Sequence, residues 1–99
     1  MAQFDVDSYF AQLNFKGEKG SEKDFQAGGD PNAALENAKR WVETEARSYV
    51  KKTPSILEES RWEAGSITAV SADEGPADSP AATLYVRDSG GKPEFDWDD

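Results

Sequence analysis

Apolar residues recur with a helical period in the segment Asp30 to Lys52, DPNAALENAKRWVETEARSYVKK, and nowhere else in the chain over such a length. At about 100° per residue, Leu35, Ala38, Val42, Ala46 and Tyr49 share one stripe, with Ala34 and Trp41 on one flank and Val50 on the other. The opposite side is polar and carries Glu36, Arg40, Glu43, Thr44, Arg47 and Lys51. Glu36–Arg40 and Glu43–Arg47 stand at the i,i+4 spacing of favourable ion pairs. Both ends are marked. Asp30 after Gly28-Gly29 is a capping acceptor, and Pro31 needs no donor in the first turn. Lys51-Lys52 suits the negative end of the helix dipole, and Pro54 keeps Thr53 out of helical geometry.

The rest of the chain alternates with a strand period or carries turn residues. Residues 1–7, MAQFDVD, read as an edge strand or a frayed terminus. Tyr9, Ala11, Leu13 and Phe15 alternate with Phe10, Gln12, Asn14 and Lys16, which predicts a half-buried strand. Residues 16–24, KGEKGSEKD, have the composition of a hairpin turn or mobile loop, and Phe25 to Ala27 offers a short returning strand. Beyond the helix, residues 54–60 form a connector. Residues 61–72 and 81–87 predict a hairpin around the turn residues 73–80, and Gly65 suggests a bulge.

The expected fold is therefore α+β. A small antiparallel sheet of three to four strands, in the order ββαββ, carries one amphipathic helix across one face. Residues 1–87 form the domain, and residues 88–99, DSGGKPEFDWDD, an acidic and flexible tail. The expected core contains Leu13, Phe15, Leu35, Val42, Tyr49, Val70, Leu84 and Val86. A single helix leaves the other sheet face bare, with Phe10 and Tyr85 on it and Trp62 or Ile67 as further candidates; such a face makes a homodimer an open possibility.

Composition narrows the chemistry. The chain has no Cys and no His, which removes disulfides, thiolate metal sites and the commonest general base. Ser residues have no basic partner at a nucleophile's spacing, and the carboxylates fall mostly in loops and termini, where solvent keeps them ordinary. The loop DEGPADSP lacks the ligand pattern of a calcium loop, and the Gly-containing stretch before the helix matches no phosphate-binding motif. The expectation is a non-enzyme with no catalytic residues, no cofactor and no metal. No apolar run approaches the roughly 20 residues of a membrane span and no signal peptide is visible, so a cytoplasmic protein is expected. A net charge of −9 opposes direct binding to a nucleic-acid backbone and suits a protein partner with a basic surface.

Two groups are candidates for partner binding. Trp41 flanks the helix stripe with Glu45 one turn later, and is either a structural Trp over the sheet edge or an interface anchor. Phe95, Asp96, Trp97, Asp98 and Asp99 alternate aromatic and acidic residues near the end of the chain. They read as a docking motif, as a solubilising end, or as a segment that folds back onto the exposed sheet face.

The segment YFAQLNFKGEKGSEKDFQAGGDPNAALENAKRWV, residues 9–42, runs strand, polar turn, short strand, Gly-Asp-Pro and then an Ala-rich helix. In this it resembles some small phage-encoded anti-CRISPR proteins, and it also looks like the sheet-and-helix part of HicB-type antitoxins, whose helix reads close to Ala34 to Lys39. The proline-containing turn and the DNA-binding extension of the HicB family are missing. The resemblance implies a small, acidic, non-enzymatic inhibitor or modulator that occupies a basic surface of a nucleic-acid-handling partner, such as a CRISPR effector complex. The alternatives are a homo-oligomeric virion or assembly component and a HicB-like antitoxin.

Overall fold

The computed structural model describes residues 5–16 and 18–99; residues 1–4, within the stretch expected as an edge strand or a frayed terminus, and Gly17, within the stretch expected as a hairpin turn or mobile loop, lie outside the described residues. The helix, α1 (Pro31–Lys52), forms as its sequence dictates. The Asp30 carboxylate accepts the Ala33 N–H at 3.1 Å, and the Thr53 N–H closes the last turn on the Tyr49 carbonyl at 2.9 Å. A short 3-10 turn, Pro54–Ile56, follows.

The strands are β1 (Ser8–Phe15), β2 (Glu18–Gln26), β3 (Trp62–Ser71), β4 (Gly75–Pro76), β5 (Ala82–Ser89) and β6 (Lys92–Asp98). All pairings are antiparallel, in the order β2-β1-β3-β5-β6, with the short β4 paired to the end of β3. The α+β class and the single helix agree with expectation, but the sheet is larger and the element order is ββαββββ. Three segments account for the difference. The stretch expected as turn or mobile loop, 16–24, supplies most of β2, an edge strand whose residues are nearly all polar because neither of its faces is deeply covered. The turn 73–80 contains β4. The segment expected as a flexible acidic tail pairs along β5 from Ser89↔Lys92 to Thr83↔Asp98 and closes the far edge of the sheet as β6. Gly90 and Gly91, with φ of 64° and 85°, make the tight turn that reverses the chain there, and positive φ at both positions is what such a turn requires.

Helix α1 lies over β1 and its neighbours. Ala34, Ala38, Val42, Ala46 and Val50 are its buried positions, and the first four form one core with Tyr9, Ala11, Leu13, Ile67, Leu84 and Val86 from the sheet. Small residues let helix and sheet approach closely: a Cβ on Gly65 would come within 2.6 Å of Val42 Cγ1 and 3.1 Å of the Gln12 carbonyl. Leu35 and Tyr49 pack on this core while remaining partly exposed, and the Phe15 and Tyr49 rings stack with centroids 3.8 Å apart. A register shift between Glu63 and Gly65 in β3 places the bulge beside the glycine that suggested it. It sets Gly65, Ile67, Ala69 and Ser71 inward, so two expectations are corrected. Ile67 is fully buried in the core instead of lying on the bare face, and Val70, expected in the core, pairs with Ser8 on the opposite face.

Candidate interaction surface

The expected binding residues separate into different places. Trp41 leans toward β2, its ring 6.1 Å from Phe25 in a tilted arrangement, and is half-buried. Glu45, one turn on, stands on the rim of a groove of about 310 Å³ between β2 and the helix, floored by Leu13, Phe15 and Tyr49. Phe95 and Trp97 lie on the other side of α1, where β6 turns their rings toward the helix. The Trp97 indole N–H donates to Glu43 Oε1 at 3.0 Å, Glu43 Oε2 accepts from Arg47 at 3.1 Å, and the Arg47 guanidinium sits 4.5 Å from the Phe95 ring centre. Lys39 lies 5.6 Å from the Trp97 ring and pairs with Asp99 at 2.7 Å. These two rings therefore fix the edge strand to the helix. They pack over the inner face of the sheet, not the exposed one, and remain half-buried. Asp96 and Asp98 point the other way.

The face they point to is open. Its residues follow from the register: Glu22, Gln12, Ser66, Thr83 and Asp98 form one continuous cross-strand row. On one side of that row stand Asp24, Phe10 and Thr68; on the other stand Glu63, Tyr85 and Asp96. Phe10, Gln12, Ser66, Thr68, Val70 and Tyr85 are all half-buried, screened by one another with no layer above them among the described residues. Of the four residues placed there by the sequence, Phe10 and Tyr85 are present. Trp62 shares the side of Val86, packs on the core, and has Lys16 5.8 Å from its ring. The Asn14 side chain donates to Glu63 at 3.1 Å, and Arg87 and Glu94 pair across β5 and β6 at 2.9 Å.

Charge is distributed unevenly over this frame. The helix segment is net +2 and the remainder of the chain −11. The contrast is greater along the strand direction of a molecule measuring 46 × 21 × 20 Å. At the end where α1 begins, residues 5–7, 27–30, 72–81 and 98–99 hold eight carboxylates and no Lys or Arg. At the opposite end, residues 16–18, 51–61 and 88–92 hold four acids and five bases. Asp30 and Asp7 have local duties, the first as the cap and the second accepting the Ala72 N–H at 2.5 Å. The sequence displayed the surplus of acid but not its polarity, which exists only once strand order is known.

Among the described residues no group of three or more Asp or Glu is placed to hold a metal, and no helix is long and apolar enough to cross a membrane. Compared with known proteins, the chain matches no family model, no curated protein and no solved structure.

Proposed function

We propose that this chain is a non-enzymatic binding protein whose acidic end and open sheet face dock on a basic surface of another protein. The single observation behind this reading is the charge polarity: one end of the molecule carries eight carboxylates without a counter-charge from its own loops. Such a field attracts and orients a positively charged partner before contact. Proteins that handle nucleic acids present basic surfaces, because phosphate neutralisation requires Lys and Arg. The resemblance of residues 9–42 to small phage-encoded anti-CRISPR proteins makes CRISPR effector complexes the first partners to test, with the chain as their inhibitor. Both sheet edges are charged, and β6 carries Pro93, features that oppose edge-to-edge assembly of copies. Titration against effector complexes and other nucleic-acid-handling proteins at low and high salt tests the reading. Binding that weakens steeply as salt rises is expected. Binding indifferent to salt, or a chain that is an oligomer at micromolar concentration, contradicts it.

A further inference from the structure

We infer that Phe10 and Asp24 on the open sheet face form a receptor for an arginine side chain supplied by the basic partner, an inference that rests on the reading above. The molecule contains its own precedent. Tyr85 on β5 and Asp96 on β6 are direct cross-strand neighbours on the open face. Arg61 lies on them, its guanidinium carbon 4.2 Å from the Tyr85 ring centre and one of its nitrogens 3.5 Å from Asp96. An aromatic face with a carboxylate beside it suits this ion, which stacks through its plane while its fork donates to oxygen.

Phe10 and Asp24 repeat the arrangement on the same face at the opposite edge of the sheet: an aromatic on an inner strand, and an aspartate directly opposite on the edge strand. Glu22, two residues before Asp24, extends the carboxylate row. Phe25, Trp62, Tyr85, Phe95 and Trp97 each have a Lys or Arg of this chain within 5.8 Å of the ring centre; among the described residues Phe10 has none, and Asp24 is in no ion pair. Topology explains the difference. Arg61 reaches Tyr85 from the end of the molecule that holds the bases, whereas Phe10 and Asp24 stand toward the end whose loops contain only acids. The cation that fits there must come from outside. A second copy of this chain is a poor source, since it brings its own acidic surplus to the same face.

Oligo-arginine and oligo-lysine peptides of equal length serve as probes, with binding to the full chain followed by fluorescence anisotropy at low ionic strength. The native chain is expected to prefer oligo-arginine, and Asp24→Asn and Phe10→Ala each to weaken that binding about tenfold and abolish the preference. Glu36→Gln, which removes a charge from the exposed side of the helix, is expected to leave both affinities within about twofold. Circular dichroism checks each variant, and Asp24→Asn carries the test should Phe10→Ala fail to fold. Equal losses in Asp24→Asn and Glu36→Gln, or no preference for arginine, overturn the receptor while leaving a basic partner in place. A native chain that binds neither peptide overturns both. A dimer in sedimentation that Phe10→Ala dissolves assigns the face to a second copy and also contradicts the inference.

Discussion

The two faces of the sheet are made from the same strands, residue by residue in alternation, yet they obey different constraints. On the inner face Ala11, Ile67 and Leu84 are fully excluded from water, and the fit is close enough that Gly65 has no room for a methyl group beside Val42. On the outer face Gln12, Ser66 and Thr68, the chain neighbours of Ala11 and Ile67, remain half-exposed, while Thr83 beside Leu84 is buried, and carboxylates bound the row at both sheet edges. The inner face is therefore committed to stability, and the outer face is free to be selected for something else. Apolar area removed from water stabilises by about 25 cal/mol per Å², and only one face collects it.

This contrast is breakable, and the largest effect is expected at β6. A chain ending at Ser89 loses the strand that covers Leu84 and Val86 from the edge, together with the Trp97 and Phe95 contacts to α1; loss of a cooperative thermal transition is the expected outcome. Next is Leu84→Ala, a fully buried truncation expected to cost about 2–5 kcal/mol in chemical denaturation. Gly65→Ala should cost about 1–3 kcal/mol, because the added methyl group meets Val42 and backbone that cannot give way together. Trp97→Phe keeps most of the ring but removes the N–H donated to Glu43, and about 1 kcal/mol is expected from the same measurement. The smallest change belongs to the open face: Gln12→Ala is expected to stay within about 0.5 kcal/mol of the native chain. A cost at Gln12 comparable to that at Leu84 would mean the outer face is covered after all.

How much of this was legible in the sequence depended on how deeply each residue is buried. Helix α1 was readable to its caps because a one-sided burial pattern and local capping chemistry agree along its whole length. Strand β1 was readable for the same reason, with alternating burial throughout. Strand β2 was not, because an edge strand of Lys, Glu, Gly and Ser has the composition of a loop, and only pairing with β1 makes it a strand. Strand β6 did leave a signal: Gly90-Gly91 flanked by two alternating runs is a hairpin turn, obscured by the acidic composition that follows. The inward register of β3 turned on one bulge, which moved Ile67 into the core and Val70 out of it. The candidate site was legible only in part. Asp96 and Asp98 do lie on the open face, but Phe95 and Trp97 are turned to the helix, and Phe10 and Asp24 become neighbours only through the strand register.

The sheet face without the helix is the one proposed to meet a partner. The most direct test is a nuclear magnetic resonance titration of the isotopically labelled chain with oligo-arginine peptide. Side-chain and amide shifts confined to Phe10, Gln12, Asp24, Thr68 and their neighbours on the open face are the predicted result. Shifts centred on the exposed side of the helix, around Glu36 and Thr44, would contradict it.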